Sequence, residues 1–520
     1  MSLLDAATLT SLQSEFSQSM RTLLMDLCRD IDEHYSELAE RLEFPVAYFR
    51  ILARSFDLES YAHWKVVGWI EALNDLVYFL DLLQQIRKEP DQRAFAKQLF
   101  AECEEKYFEN SYLDDLFPQG RAQAKGLAAR LQWLCMKLAR EVTQESLFFD
   151  PRWAMQWSGR QGLGKWEVPG DIDPHFERAE RAFTLSIGTI GDELVAPKSV
   201  VQGVGRTAPR IIFEITKQGI ALKKGRRFPV CSVQGANVEW HWPRQAAVEA
   251  ARTSQGPLTI GRTLRYGKDR QPQKVISTSP KQVARIARAW HTIREAWPKG
   301  YEVLALLTSR VIPLKAKGVV SFSYRHRPGL SFINCFDRDN LDLIDDLIHE
   351  NSHHHLNLLL RKHVMYHGDH NQQIFYSPWR RSLRPLRGIL HATFTFTMGA
   401  MLFERLSSWA ESTRGMKGWK EAGLTQRDLQ RARFRCLEEI ESVRYSIQDL
   451  NYAGRHLKWL TGSGGRLVRQ LEEEITEAEQ RIARHRIAVL KSKFGPALRR
   501  HVKELQQARM TYGPVRLSKA

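Results

Sequence analysis

The chain has 520 residues, of which 43% are apolar, and a formal net charge of +18. This length allows two to four domains with a sizeable core, and the apolar content is ordinary for a globular protein. A charge of this size permits binding to nucleic acid, an anionic membrane or an acidic peptide. However, 59 acidic residues are mixed with the 77 basic ones, and no run of like charge forms a tail. The charge pattern therefore argues against a nucleic-acid partner.

Three further features of the sequence limit the class of protein. The six cysteines are scattered without a CxxC pair, which predicts a reduced, cytoplasmic protein and argues against a zinc site made of cysteines. The N-terminus lacks the pattern of a signal peptide. The most apolar long stretch, residues 64–86, contains Lys65, Glu71 and Asp75, so it predicts a buried helix and no membrane span.

The order of patterns along the chain predicts four segments and an α+β fold that is mainly α. Residues 1–145 carry apolar side chains at helical spacing and are expected to form a helical N-terminal region. Residues 146–278 are richer in glycine and aromatic residues, and the alternation around Gln218-Gly219 predicts a β-hairpin. Residues 279–410 are expected to form a metal-site domain, and residues 411–520 to form charged C-terminal helices.

The third segment is expected to contain both helices and strands. In chain order, we predict a helix over residues 279–297, one or two buried strands over 301–314, a hairpin over 318–334 that turns at Arg327-Pro328-Gly329, a helix over 341–360 and a second helix over 388–409. A sheet edge next to the helix of residues 341–360 would suit one wall of a peptide-binding cleft.

The predicted helix of residues 341–360 contains an HExxH motif, formed by His349, Glu350 and His353. Residues four apart share one face of a helix, so the two histidines can bind one metal ion. Glu350 would then lie beside the metal, within reach of a bound water or of the substrate. Apolar residues at spacings of three and four, and aspartates on the N-terminal side, favour a helix here.

A working metal site needs a further protein ligand, and the second helix offers two candidates. His391 lies among apolar residues near the start of that helix, and Glu404 lies thirteen residues later, where it would match the arrangement of zinc peptidases. The alternatives are a core hydrogen bond for His391 and a salt bridge for Glu404. His354 and His355 point away from the metal face of a regular helix, and we expect them to be exposed or to support the ligands.

Arginines cluster just before His391, at positions 380, 381, 384 and 387. Arg384 and Arg387 share a face with His391 if the helix starts early enough. Arginine binds carboxylates through two parallel hydrogen bonds and stays charged, so a carboxylate ligand next to the metal is chemically reasonable. The alternative is a solvated basic turn.

Several short motifs occur in an order that resembles a known family. In chain order they are VIPL (311–314), SFSY (321–324), PG (328–329), IHENSH (348–353), SPWR (377–380) and RPLRGILH (384–391). The combination resembles HExxH-motif proteins associated with peptide modification, and the likeness covers roughly residues 280–405. Members of this family look like iron(II)- and 2-oxoglutarate-dependent enzymes that hydroxylate the β-carbon of a peptide residue.

The resemblance implies a role for most of the candidate residues. His349 and His353 would be iron ligands, and His391 would be the third. Arg384 or Arg380 would bind a carboxylate of 2-oxoglutarate, and the substrate would be a peptide or protein. The role of Glu350 stays open, because the family likeness does not require it to act as a base.

Two other functions remain possible on the sequence alone. HExxH by itself is best known from zinc peptidases, in which Glu350 would act as general base on a zinc-bound water. A non-catalytic, basic helical binding module is the other, although the intact set of His349, Glu350 and His353 argues against it. The histidine and arginines that follow the motif favour the oxygenase over both.

Overall fold

Helices dominate the molecule and several small sheets accompany them, which confirms the predicted α+β, mainly α fold. The computed structural model describes residues 3–41, 46–88 and 278–513, and shorter stretches between 135 and 276. Most of the predicted N-terminal helical region after residue 88 lies outside the described residues. Among the residues that are described, no helix is both long and apolar enough to cross a membrane.

The N-terminal part of the chain is helical where it is described. It forms α1 (Ala6–His34), α2 (Ser36–Arg41), α3 (Val46–Ser55), a short 3₁₀ helix (Glu59–Ala62) and α4 (Trp64–Lys88). The helix predicted over residues 64–86 is therefore confirmed. Its side chains Trp64, Trp69 and Leu73 are buried, as expected for a core helix.

The middle of the chain is built of strands. They are β1 (Lys165–Val168), β2 (His175–Glu177), β3 (Ala182–Ser186), β4 (Glu193–Ala196), β5 (Ile211–Thr216), β6 (Gly219–Lys224), β7 (Arg226–Gln234), β8 (Asn237–Trp240), β9 (Ala247–Thr253), β10 (Gly256–Ile260), β11 (Thr263–Tyr266) and β12 (Pro272–Ile276). Strands β5 and β6 pair antiparallel with Thr216 opposite Gly219, which confirms the hairpin predicted at Gln218-Gly219.

In the rest of the chain, helices and strands alternate up to β17, and the elements after it are helices. It forms α5 (Pro280–Ala296), α6 (Pro298–Leu307), β13 (Arg310–Lys315), β14 (Phe322–Ser323), β15 (Leu330–Asn334), α7 (Asn340–Lys362), β16 (Phe375–Ser377), β17 (Ser382–Arg384), α8 (Leu386–Ala410), α9 (Thr413–Glu421), α10 (Gln426–Arg455), α11 (Gly462–Ile482), a 3₁₀ helix (Ala483–His485), α12 (Arg486–Lys491) and α13 (Gly495–Tyr512). The helices predicted over 279–297, 341–360 and 388–409 correspond to α5, α7 and α8 and are confirmed.

The chain folds into two compact units. The first contains residues 1–16, 248–260 and 278–520, and the second contains residues 17–247 and 261–277. In the second unit, β1, β5, β6, β7 and β8 form one sheet and β2, β3 and β4 form another. The predicted segments 279–410 and 411–520 both belong to the first unit, where α10 packs along α8.

The sheet of the first unit combines strands from distant parts of the sequence. Strand β10 lies next to β9 and pairs parallel with β13, which in turn pairs parallel with β15. Strand β14 pairs antiparallel with β15, with Phe322 opposite Phe332. Residues 324–329 connect these two strands, so the hairpin predicted over 318–334 is confirmed. Both strands of this hairpin contact α7.

The prediction of buried strands over residues 301–314 is wrong for its first half. Residues 301–307 belong to α6, and only β13 is a strand. An apolar run without alternation does not distinguish a helix from a strand, and Pro298 at the first helical position favours a helix start. The side chain of Asn351, on α7, donates to Thr308 Oγ1 over 2.9 Å and so ties the end of α6 to the motif helix.

Helix α7 begins at a well-formed cap. The Asp339 carboxylate accepts a hydrogen bond from the Asp342 N–H over 3.0 Å, and the Asp342 carboxylate accepts from the Asp339 N–H over 3.2 Å. This reciprocal pair satisfies backbone donors that a helix start leaves free. Arg361 and Lys362 lie in the last turn, where positive charge complements the helix dipole. The motif therefore sits in the middle of a helix whose two ends are fixed.

Candidate metal and carboxylate site

A cavity of about 990 Å³ lies between the β14–β15 hairpin, α7 and the first turns of α8. Residues 363–366, the turn after β16 and one side chain of α10 complete its wall. All of these elements belong to the first unit. The wall includes six of the residues that the sequence proposes for the site, namely His349, Glu350, His353, Arg380, Arg384 and His391.

The two histidines of the motif are neighbours on the cavity side of α7. Their ring centroids are 5.0 Å apart, and the rings stand at 81° to each other. His349 also lies edge-on to Phe396 of α8, with centroids 5.2 Å apart. The spacing of four residues therefore brings both imidazoles to one face, as the motif predicts.

The third histidine comes from the facing helix. The ring centroid of His391, on α8, lies 6.3 Å from that of His353. Helices α7 and α8 pack against each other, which fixes the backbones that carry the three rings. In the part of the chain that is described, no three His, Cys, Asp or Glu side chains stand close enough to hold a metal ion without moving. The structure thus brings the three histidines to one cavity but does not present them as a closed ligand set.

Burial favours the neutral form of all three imidazoles. Burial lowers the pKa of His349 and lowers that of His353 well below its usual range. Burial, together with the charges of Arg387 and Arg325, lowers the pKa of His391 to about 4. A neutral imidazole has a free nitrogen lone pair, which is the form that binds metals.

Glu350 is almost completely buried, with 2% of its surface exposed, and its Oε2 atom has no hydrogen-bond partner among the described residues. Burial raises the pKa of this carboxyl to about 8, and the nearby charges of Asp346 and Asp345 add to the effect. An unsatisfied buried carboxyl costs free energy, so such groups often serve a ligand or a reaction. Glu350 therefore lines the cavity as a polar group with unused hydrogen-bonding capacity.

Four of the arginines that line the cavity have no side-chain partner among the described residues. Within the described residues, the guanidinium groups of Arg325, Arg380, Arg384 and Arg387 form no ion pair and no hydrogen bond. Sequence reasoning did not single out Arg325, because it lies in the hairpin loop, more than sixty residues before His391. The pairing of β14 with β15 brings Arg325 to the cavity wall.

Arg384 does not share a helix face with His391, which was expected if the helix started early enough. Helix α8 starts at Leu386, so Arg387 is on its first turn but Arg384 ends strand β17. Pro385 marks the boundary, since the residue before a proline avoids the helical conformation. A Cβ added to Gly388 would lie 3.7 Å from Nε of Arg384, so this side chain folds over the first turn of α8 and still reaches the cavity.

The opposite side of the cavity is acidic, but each acid there has a basic partner. The Asp346 carboxylate lies 3.3 Å from Nε of Arg338 and accepts a hydrogen bond from the Ser321 hydroxyl over 2.6 Å. Asp345 pairs with Arg435 of α10 over 3.3 Å. Similarly, Asp342 pairs with Arg431 over 3.5 Å. Among the described residues, the aspartates of the wall are therefore paired, whereas the four arginines have no ion-pair partner.

Aromatic rings form the apolar part of the wall. Trp379 stacks on Phe396 with centroids 4.3 Å apart, and its indole N–H donates to Glu439 over 2.8 Å. Arg435 donates to the other oxygen of Glu439 over 3.0 Å. This chain of contacts fixes the ring plane beside His349. Phe394 is fully buried against His355 and belongs to the core.

The remaining candidates lie outside the site. Glu404 is buried on α8, where it accepts from Ser408 over 2.9 Å and pairs with Arg481 over 3.0 Å, so it forms a salt bridge and does not line the cavity. The expectation that His354 and His355 are exposed is wrong, because both are buried. His354 contacts Ser331 Oγ over 3.1 Å and thus ties α7 to strand β15.

In comparisons with known proteins, no protein-family model matches this chain and no curated protein is significantly similar to it.

Proposed function

We propose that this chain is an iron(II)- and 2-oxoglutarate-dependent enzyme that hydroxylates a side chain of a peptide or protein. One observation carries the proposal: three neutral histidines from two packed helices face a cavity that also holds arginines without partners among the described residues. The order of motifs, which resembles peptide-modifying HExxH proteins, supports the same function. A cytoplasmic location belongs to the proposal as well and rests on the scattered cysteines.

His349, His353 and His391 would hold the metal. Imidazole nitrogen suits iron(II), and two of the three rings are already neighbours on one helix face. Rotation of side chains between rotamers would bring the third ring in, at a cost that is small beside the free energy of metal binding. When bound, iron(II) together with the keto-acid supplies the activation of O₂ for attack on a C–H bond.

Arg380 and Arg384 would bind the carboxylate of 2-oxoglutarate that lies away from the metal. Arg380 lies on the His349 side of the cavity, where its charge contributes to lowering the pKa of that histidine. Arg384 reaches the same cavity over the first turn of α8. A guanidinium group matches a carboxylate with two parallel hydrogen bonds, so either arginine can fix the length and orientation of the keto-acid.

The aromatic wall would exclude water from the reacting groups. Trp379 and Phe396 cover the His349 side, and Glu439 holds the Trp379 ring in place. Phe322, at the exposed edge of the hairpin, lines the other side. The chain's own contribution to the reaction is thus to place substrate, keto-acid and metal ligands in a restricted and partly apolar space.

The proposal predicts that the anaerobically purified protein binds one iron(II) and then 2-oxoglutarate. A visible charge-transfer absorption should appear only when both are present, and admission of O₂ should convert 2-oxoglutarate to succinate. The matched control is His349→Ala, which should give neither the absorption nor succinate. Tight binding of one zinc ion without any 2-oxoglutarate consumption would refute the proposal.

A zinc peptidase is the second candidate, and the unpaired oxygen of buried Glu350 favours it. In that reaction Glu350 would take a proton from the attacking water, and its carboxyl would have to be ionised when the metal is present. The position of Glu404 weighs against a peptidase with a glutamate as third ligand, since its carboxylate is bound to Arg481.

Glu350→Gln separates the two candidates. The amide keeps the shape of the side chain but cannot take a proton, so a peptidase should lose on the order of 1,000-fold or more in kcat. For the oxygenase we expect less than about a tenfold loss of succinate formation, because the proposed hydroxylation needs no proton transfer by Glu350. Succinate formation and cleavage of a casein substrate, measured on the same preparation, give the two readouts. A near-complete loss of succinate formation with intact iron binding would give Glu350 a catalytic role in the oxygenase.

A further inference from the structure

The four arginines of the cavity exceed what one keto-acid needs. One carboxylate of 2-oxoglutarate would bind at the metal, and one or two arginines are enough for the other. The aspartates of the opposite side cannot neutralise the remainder, because Asp342, Asp345 and Asp346 each pair with another arginine. A cavity that keeps uncompensated like charges is suited to a second anion.

Two of the four arginines lie together on the His391 side. Arg387 is four residues before His391 on α8, so both share one helix face. Arg325 comes from the loop between β14 and β15, and its carbonyl accepts a hydrogen bond from Arg361 of α7 over 3.0 Å. Arg325, Arg387 and His391 all line the same cavity.

A tyrosine completes this side of the cavity. Tyr366 lines the wall, and Arg387 and Arg325 oppose the rise that burial causes in its pKa. Its backbone is fixed by a β-bridge to Leu460, and the next N–H, of His367, donates to Trp459 O over 2.9 Å. Its phenol can therefore donate a hydrogen bond from a defined position to a group held by the two arginines.

We propose that Arg325, Arg387 and Tyr366 form a carboxylate subsite that binds the peptide substrate through an acidic side chain or its C-terminal carboxylate, next to the residue that is modified. This inference rests on the proposed function, since it gives that enzyme its substrate class. The hairpin edge at β14 forms the wall next to Arg325, so an extended peptide can lie along it and place one carboxylate at the subsite. Arg380, near His349, and Arg384 remain for the keto-acid.

The test measures binding of short peptides to the full chain by calorimetry, without added metal and without 2-oxoglutarate. Three peptides with acetylated N-termini share one apolar sequence. The first has a central aspartate and an amidated C-terminus, the second has asparagine in its place, and the third has asparagine with a free C-terminal carboxylate. We expect at least one carboxylate peptide to bind about tenfold or more tightly than the neutral one. Which of the two gains affinity identifies the source of the carboxylate.

Variants then locate the subsite. Arg325→Ala and Arg387→Ala should each remove most of the gain, whereas the affinity of the iron(II) protein for 2-oxoglutarate should change less than about threefold. Arg380→Ala should weaken the binding of 2-oxoglutarate and leave the preference for the carboxylate peptide unchanged. Arg500→Ala removes one exposed positive charge of α13 outside the cavity and controls for general attraction to a basic protein.

The outcomes distinguish this inference from the proposed function. Equal binding of all three peptides, or losses in Arg325→Ala and Arg387→Ala no larger than in Arg500→Ala, would overturn the subsite. A loss of 2-oxoglutarate affinity in these two variants would overturn it too, by assigning them to the keto-acid. If the carboxylate peptides bind selectively but 2-oxoglutarate is never consumed, the subsite stands and the oxygenase does not.

Discussion

Replacement of His391 by alanine is expected to lower iron(II) affinity by more than about 100-fold and to abolish succinate formation. The two motif histidines supply only two nitrogen ligands. The ring centroid of His391, on the facing helix α8, lies 6.3 Å from that of His353. Removal of this ring leaves α8 without a nitrogen donor at the site. The measurement is a competition titration of the metal against a chelator of known affinity, with circular dichroism to verify the fold.

Two control variants make the result specific. His367→Ala removes an exposed histidine of the neighbouring loop that does not line the cavity, and metal affinity should stay unchanged. Glu404→Gln keeps the size of the other candidate ligand and should also retain the metal, because Glu404 is bound to Arg481 and Ser408. Metal retained in His391→Ala but lost in Glu404→Gln would contradict our assignment and support a peptidase-like site.

The second large effect concerns stability and involves a residue with no role in the chemistry. Asn334→Ala is expected to destabilise the first unit by about 3 kcal/mol, since it removes one buried and several partly buried hydrogen bonds at once. The Asn334 amide nitrogen has three acceptors within reach of its two N–H groups, namely the carbonyl oxygens of Ala316 and Val319 and the Asp337 carboxylate, over 2.6–2.9 Å. Its amide oxygen accepts from the Phe336 N–H over 3.0 Å. Alanine would leave the buried carbonyl of Ala316 without this donor and would remove the side-chain links to Val319, Phe336 and Asp337.

The loss of stability in Asn334→Ala should lower the melting temperature and should also appear as local opening near residue 334. The Asn334 backbone N–H donates to Ser321 Oγ over 3.0 Å, and that hydroxyl donates to Asp346 on α7. We therefore expect faster amide hydrogen exchange over residues 316–323, which carry one wall of the cavity, before other parts of the unit are affected. Asn371→Ala, at an exposed asparagine, is the control. Unchanged exchange over 316–323 would show that other contacts hold this segment.

The sequence predicted those parts of the site that depend on local patterns. Helix α7 and its motif were predictable because periodicity, capping acids and the four-residue spacing of two histidines agree. The same holds for α8 and the hairpin of β14 and β15. Each of these elements is determined by residues close to one another in the chain.

The rest depends on contacts between distant segments, which a single sequence does not show. Arg325 and Arg435 are ordinary basic residues in the sequence, and only the pairing of β14 with β15 and the packing of α10 along α8 bring them to the cavity. His354 was misjudged because β15 and its Ser331 cover the far face of α7. Likewise, residues 301–307 form a helix because α5 and α7 are there to pack against.

The sheet of the first unit joins strands from distant parts of the sequence, and this limits how the chain can be rearranged during evolution. Strand β10 lies about fifty residues before β13, its parallel neighbour, and α10 reaches back to the cavity with Arg435. The stretch that carries the recognisable motifs is therefore not an independent structural unit, because strands β9 and β10 of its sheet and helix α10 of its cavity wall come from outside it. Gene rearrangements that move only residues 280–405 would separate the ligands from the framework that orients them, so this site should be inherited as part of a larger whole.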